Sequence, residues 1–433
     1  MSAIIRNIGS ALSDSDIEQI LADYFEHEIP YTIAMCTDES LQEYRADLVR
    51  SLQNTLEVDI NAAQSFEAQM EEVCQVFETA LTKLFSLPNE QIKQWMLGPT
   101  LSKHPYFIDY ARATWQERQP AVSGRFDMMV NAEGQLQVIE FNGDTPSMYA
   151  DSLYFTHAVG ELLERDTFNS HWEESQAVVN EGFRQARTVA ALGENLDIVS
   201  EDTATIEYMA SLLSKEGERK TFILNKDQLD FELLDNSFNI IDEHGTRYNL
   251  DLIYALIPWE ELLESGHSSI FTGWEYWYQK VRFVEPAWRW FMSNKGFLAF
   301  VTDLIEHNEL SVSDNFALVP TYLDPSGLAG KRYIAKDALG RGGDGIQVID
   351  ANQQLLYDET EYYGGAPVYQ AYLEHYPLDQ YSNLIACMWV SSYKEQNKFH
   401  MSPSTLAFRI MPKSELVTRT GYELFAPHVL SEA

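Results

Sequence analysis

The stretch Gly124-Arg125-Phe126-Asp127-Met128-Met129-Val130-Asn131-Ala132-Glu133-Gly134-Gln135-Leu136-Gln137-Val138-Ile139-Glu140-Phe141-Asn142-Gly143-Asp144-Thr145-Pro146 decides how this chain reads. Alternating apolar residues flank Asn131-Ala132-Glu133-Gly134, which has the composition of a turn, so two antiparallel strands are expected. Residues two apart on a strand share a face. Arg125 and Asp127 therefore share one face of the first strand, and Glu140 and Asn142 share one face of the second. A turn of residues 131 to 134 pairs Val130 with Gln135 and sets Arg125 opposite Glu140, so all four polar side chains converge. A turn one residue longer or shorter would part the two sets, because a single slip flips every side chain.

Asp127, Glu140 and Asn142 offer three oxygen donors, which suits a hard cation such as magnesium. Arg125 beside them suits an anion that the same cation touches. The pattern alone equally fits a charged surface hairpin with an ion pair between Arg125 and Glu140.

Outward from this hairpin, composition narrows the classes. The chain has 433 residues, 45% of them hydrophobic and 12% aromatic, enough for a large core in two or three lobes. No apolar run is long enough to span a bilayer, and the first residues show no secretory pattern, so a soluble cytoplasmic protein is expected. Three scattered cysteines, Cys36, Cys74 and Cys387, argue against a disulfide framework or a structural zinc site, and Cys387 reads as a core filler. The formal net charge of -36 would repel a nucleic-acid backbone and attract cations, including polyamines and magnesium.

Residues 11 to 97 read as mostly helical, with caps at Ser13-Asp14-Ser15-Asp16 and a stop at Gly98-Pro99. A strand over Leu196 to Ser200, a helix over Thr203 to Glu216, and strands over Thr221 to Leu224 and Asp251 to Ile257 form a strand–helix–strand unit of parallel character. It lacks a glycine-rich nucleotide fingerprint. The tryptophan-rich run from Trp259 to Trp290 reads as core or lobe interface. A helix is expected from about Ser293 through Leu304, and strands with polar turns over 316 to 433.

Tyr333-Ile334-Ala335-Lys336 reads as a strand ending in a lysine, followed by the loop Gly340-Arg341-Gly342-Gly343-Asp344-Gly345. Backbone N–H groups in such a loop can approach phosphate closely, with Lys336 and Arg341 supplying charge. Gly327-Leu328-Ala329-Gly330-Lys331 has the wrong spacing for a P-loop, and Arg332 replaces the required hydroxyl. Lys295, at a helix start, is explained either by solvation or by a phosphate ligand. His104, His157 and His428 are isolated and read as structural, and no serine-hydrolase elbow or zinc-protease signature occurs.

Taken in order, these pieces resemble the ATP-grasp ligase family of glutathionylspermidine synthases over roughly residues 100 to 433, with the N-terminal helices included. The resemblance rests on Arg125-Phe126-Asp127 with Glu140-Phe141-Asn142-Gly143-Asp144-Thr145-Pro146, Ile257-Pro258-Trp259-Glu260, and Glu285-Pro286-Ala287-Trp288 with Ser293-Asn294-Lys295. It continues through Lys336 with Gly340-Arg341-Gly342-Gly343, Tyr369-Gln370, Leu416-Val417-Thr418 and Phe425-Ala426-Pro427-His428-Val429.

The resemblance implies an α+β, ATP-grasp fold with a pre-ATP-grasp, Rossmann-like lobe and N-terminal helices. It divides the chain into a helical segment over 1–100, a metal and acceptor segment over 101–170, a pre-ATP-grasp lobe over 171–284 and an ATP-grasp lobe over 285–433, packed as one unit. It implies ATP and Mg2+ as cofactors, with Asp127, Glu140 and Asn142 as metal ligands. Lys295, Lys336 and the loop residues Gly340, Gly342 and Gly343 would hold phosphates, and Gln370 would lie by the adenine. Arg125 would steady an acyl phosphate, and Arg341 would close over the site. Thr145, Ser147 and Arg409, with Arg419 as the alternative arginine, would meet the acid substrate.

The implied activity is acid–amine ligation with release of ADP and phosphate, joining a peptide carboxylate such as glutathione to a polyamine. A ligase for a different acid and amine, or a nucleotide-binding regulatory module without ligation, remain the alternatives. Gly342 stands where many members carry an acid, and Met148 where a second hydroxyl is frequent. The bifunctional members' amidase domain has no room here, so the synthetase part alone is expected.

Overall fold

A computed structural model describes residues 4–131, 133–215, 217–266, 268–359, 366–379, 382–395, 398–418 and 423–431. The N-terminal helices begin where short polar side chains can take up unpaired N–H groups. Ser13 and Asp16 form a reciprocal capping box on Asp14–Asp23. Asp59 accepts from Asn61 and Ala62 at the start of the long helix Ile60–Ser86. Phe66, Met70, Val73, Phe77, Leu81 and Leu84 recur at helical spacing on that helix and are fully buried, so one apolar stripe packs it onto the central sheet. Two strands interrupt the expected helical region. Ile5–Asn7 pairs with Leu56–Asp59, which pairs in parallel with His428–Ser431 and so ties the two ends of the chain together.

Among the described residues, six strands form the central antiparallel sheet. Its main path runs Leu424–Ala426, Lys398–Pro412, Ser382–Glu395, Ala121–Val130, Leu136–Asn142. The opening hairpin therefore continues into strands from the last part of the chain. Ala121–Val130 is buried throughout, because it has neighbours on both edges and helices on both faces.

A second sheet is wholly parallel, in the order Arg282–Val284, Leu252–Ala255, Thr188–Gly193, Lys220–Asn225, with the helix Glu201–Ser214 as crossover. Here one expectation is corrected. The first strand of the unit is Thr188–Gly193, and residues 196–200 form the turn into the helix. Val189, Ala190, Ala191 and Leu192 are all buried, as both faces of a covered parallel strand demand. In the turn, Ile198 is exposed while Leu196 and Val199 are buried, and Ser200 caps the helix with Thr203.

The third sheet is antiparallel, in the order Thr321–Tyr322, Pro367–Ala371, Tyr333–Asp337, Ile346–Ile349, Leu355–Glu359. Trp259, Trp277, Trp288 and Trp290 are buried, matching the core reading of their segment. Among the described residues no helix is long and apolar enough to cross a membrane.

Candidate active site

The hairpin register differs from expectation in a way that preserves the site. The chain pairs Val130 with Leu136, not with Gln135; Ala132 of the turn lies outside the described residues. By itself this longer turn would have turned Glu140 and Asn142 away from Asp127. A bulge opposite Asp127 and Met128 adds Ile139 to the second strand and restores the parity, so Asp127 faces Glu140 and Arg125 faces Asn142. The bulge also turns the Ile139 carbonyl to the neighbouring sheet. It accepts from Lys336 Nζ at 3.4 Å and Gln370 Nε2 at 3.2 Å. Backbone bonds from Val138 N to Ala317 O and from Val319 N to Val138 O, each 3.0 Å, complete the seam between the hairpin and the third sheet.

On the hairpin side, Asp127 is fully buried. It accepts from Arg125 Nε at 2.7 Å and Nη2 at 3.1 Å, from Arg409 Nη2 at 2.6 Å and from Asn142 Nδ2 at 3.2 Å. Burial would raise this carboxyl, but the two guanidiniums outweigh it and hold it well below the usual carboxylate range. Arg125 Nη1 donates to Ser147 O at 2.8 Å, and Arg409 Nη1 to Glu423 Oε1 at 2.7 Å. Cys387 is buried against Asp127, and burial and then that carboxylate push its thiol up to about 12, consistent with a core filler. Arg409 thus belongs to the cluster, and its alternative, Arg419, lies outside the described residues.

Opposite lies a cleft of about 700 Å³, counting the space open to solvent. Glu140, Lys295, Lys336, Gly340, Arg341, Gly342, Gly343 and Gln370 all line it, as do Leu416, Val417 and Thr418. Lys295 directly precedes the helix Gly296–Glu306; its Nζ donates to Gly340 O at 2.6 Å and lies 3.6 Å from Glu140 Oε2. Lys336 is buried. Burial pushes its ammonium down to about 8, opposed by Glu140 and reinforced by Lys295. The loop between the lysine strand and its neighbour needs its glycines. Gly342, Gly343 and Gly345 have φ of 59, 90 and 72°, and a Cβ on Gly340 would stand 2.5 Å from Asp344 O.

Arg341 reaches across from this loop to Glu260 Oε1 at 2.5 Å and Asp144 Oδ2 at 3.3 Å, and Trp290 Nε1 donates to the other Glu260 oxygen at 2.8 Å. Burial raises the Asp144 carboxyl against the pull of Arg341. Both acids belong to recognisable stretches, yet nothing in their spacing reveals that they meet one loop arginine.

Thr145 and Ser147 follow the second strand. Ser147 Oγ donates to Glu201 Oε1 at 3.2 Å, whereas Thr145 makes no hydrogen bond among the described residues. Burial, then Asp202 and Asp151, push Glu201 up to about 8. Sequence reasoning missed Glu201, since an acid in the first turn of a helix carries no mark of burial.

The donors match a magnesium nucleotide on three structural grounds. Two carboxylates and one amide face each other across paired strands, and a half-turn of the Asn142 amide presents its oxygen. Two ammonium groups and a glycine loop line the cleft beside them. At its inner wall the Gln370 Oε1 acceptor is buried without a partner among the described residues, as an exocyclic amine would require.

The sequence profile of the family described as Glutathionylspermidine synthase preATP-grasp matches residues 46–429. A Haemophilus influenzae protein named "Putative acid--amine ligase" is 24% identical over 279 residues, or 60% of this chain and 65% of that protein. The chain thus matches somewhat less than two thirds of that curated relative's length. The structure of a glutathione synthetase-like effector from Globodera pallida superposes with a TM-score of 0.52 at 8% identity, covering 87% of this chain and 89% of the other, a likeness of fold.

Proposed function

Because this chain belongs to the glutathionylspermidine synthase pre-ATP-grasp family, we propose that it is an ATP- and magnesium-dependent carboxylate–amine ligase acting through an acyl phosphate. The observation that carries this reading is that Glu140, paired with Asp127 across the hairpin, lines the same cleft as Lys295 and Lys336. A carboxylate able to hold a cation and ammonium groups able to hold phosphates line one cleft, as phosphoryl transfer requires. Magnesium held by Asp127, Glu140 and Asn142 would neutralise charge on the β- and γ-phosphates.

A substrate carboxylate oxygen attacks the γ-phosphorus, and the bond to the β,γ-bridging oxygen breaks, releasing ADP. An amine nitrogen then attacks the acyl carbon, phosphate leaves, and the nitrogen gives up a proton. Lys295 and Lys336 hold the phosphates. Arg125, and Arg409 beside it, would steady the acyl phosphate, with Asp127 between them. Arg341 closes the glycine loop through Glu260 and Asp144. No protein nucleophile is needed; positioning and charge neutralisation do the catalysis. Thr145 and Ser147 would meet the acid substrate beside Arg125, whose Nη1 donates to Ser147 O at 2.8 Å. Glutathione is the acid and a polyamine the amine that the family membership favours.

The test is magnesium-dependent ADP release, with glutathione and other carboxylates crossed against a polyamine panel and product masses read in parallel. The reading expects ADP together with a product of the two substrates' combined mass less one water. ATP binding without ADP from any pair would replace it with a nucleotide-binding regulatory module.

A further inference from the structure

The two ends of the Gln370 side-chain amide differ in chemistry: Nε2 only donates and Oε1 only accepts. Which end is left for a ligand in the cleft is decided by what stands behind the amide. Thr321 lies directly opposite Gln370 in the antiparallel pairing of Thr321–Tyr322 with Pro367–Ala371, so the two side chains share a face, and both are buried. Thr321 Oγ1 stands 2.8 Å from one end of the amide, and the Ile139 carbonyl oxygen stands 3.2 Å from the same end. A carbonyl oxygen only accepts. The threonine hydroxyl has one proton, donated to Val319 O at 3.1 Å, so toward Gln370 this hydroxyl accepts as well.

Two acceptors at one end of the amide require the NH2 group there. The opposite orientation would set Oε1 against the Ile139 oxygen and draw the threonine proton away from Val319 O. Thr321 is itself anchored. Its backbone N–H donates to Thr302 Oγ1 at 3.0 Å, and that hydroxyl donates to Leu298 O at 2.9 Å inside the helix Gly296–Glu306.

The amino group is thereby committed, and Oε1 is left over, buried and without a partner among the described residues. A fixed acceptor discriminates between purines at position 6. The amino group of adenine donates to it. The oxo group of hypoxanthine or guanine would bring a second acceptor, leaving two desolvated oxygens with no proton between them. Thr321 does not line the cleft, so any effect it has on a ligand runs through Gln370. We propose that Thr321 is a positioning residue for base selection: by accepting from Gln370 Nε2 it fixes Oε1 to receive a 6-aminopurine nucleotide and to reject 6-oxopurine nucleotides. This assignment rests on the nucleotide-binding reading of the cleft and adds the residue that chooses the base.

Equilibrium dialysis of the full chain tests it, with magnesium and radiolabelled ATP, ITP or purine riboside triphosphate and no other substrate. Wild type should bind ATP at least about tenfold more tightly than ITP, the cost of two buried acceptors facing each other. Purine riboside triphosphate, which lacks a 6-substituent, should fall between them. Gln370→Met should largely erase the difference. Thr321→Val, which keeps the side-chain shape and removes the accepting oxygen, should narrow the ATP-to-ITP ratio, and Thr321→Ser should restore it. A merely structural defect would weaken both nucleotides alike and leave the ratio unchanged. Equal binding of ATP and ITP by wild type overturns the proposal while leaving the cleft a nucleotide site. A wild-type ratio in Thr321→Val or in Gln370→Met overturns it and moves base selection to other groups. If no nucleotide binds at all, the nucleotide reading falls and this proposal with it.

Discussion

Around Asp127, two guanidiniums and an amide converge on one carboxylate within 3.2 Å, whereas among the described residues the Lys336 ammonium, in the cleft, has only the Ile139 carbonyl at 3.4 Å. Both residues are buried, yet burial has opposite consequences. Two arginines more than offset the cost of desolvating the aspartate, so it stays ionised across any working pH. Among the described residues Lys336 has no carboxylate at ion-pair distance, and burial pushes it down to about 8. One is a finished charge cluster; the other, Lys336, is a buried cation without a carboxylate partner among the described residues. The second arrangement costs stability and is what a polyanionic ligand would repair.

The comparison breaks most directly at Asp127. Asp127→Ala should abolish ADP release and also destabilise the fold, by about 3–5 kcal/mol, because Arg125 and Arg409 would be left buried side by side. Chemical denaturation beside the activity assay checks both effects, and wild-type stability would show that the cluster is not a coupled unit.

Lys336→Met should do the reverse. Nucleotide affinity falls by about 10- to 100-fold, the worth of a charged hydrogen bond, while stability holds or rises as a poorly paired buried charge is removed. Nucleotide titration and thermal melting separate these, and a marked fall in melting temperature would overturn the contrast.

Arg341→Ala breaks the contacts to Glu260 and Asp144 from the loop side. Turnover should drop by about tenfold or more with nucleotide affinity nearly intact, since the loss is of charge-assisted contacts on a closing loop. A large loss of affinity at normal turnover would reassign the arginine to nucleotide binding.

The smallest effect is a pH signature. As pH rises through about 8 Lys336 loses its charge, so ATP affinity in the free enzyme should decline. Its stability contribution moves the other way. From about 8 to the ordinary lysine value of 10.5 the unfolded chain binds the extra proton, so the penalty for this residue is relieved as pH rises. Melting curves of wild type minus Lys336→Met across that window should show the rise, and a flat difference would mean that Lys336 is not depressed.

Much of the site was legible because its residues lie close in sequence on regular elements. Period-two alternation put Arg125 with Asp127 and Glu140 with Asn142, and glycines at 340, 342, 343 and 345 marked a loop that side-chain sterics would otherwise forbid. The parallel unit was recognised but its first strand was misplaced, because the short apolar run at 196–200 mimics a strand and only burial shows Thr188–Gly193 to be the covered one.

By itself the sequence determined which chemical groups are present, that strands and helices carry them, and the family to which the chain belongs. Tertiary structure decided the rest. It chose the bulge at Ile139 that keeps Asp127 and Glu140 face to face, and it brought Arg409 to Asp127 and Glu260 to Arg341. It also set the Thr321 hydroxyl against the Gln370 amide. The physical reason is the same each time. Periodicity fixes the face of a side chain within one element, but which faces meet, and how deeply they are buried, depends on long-range packing.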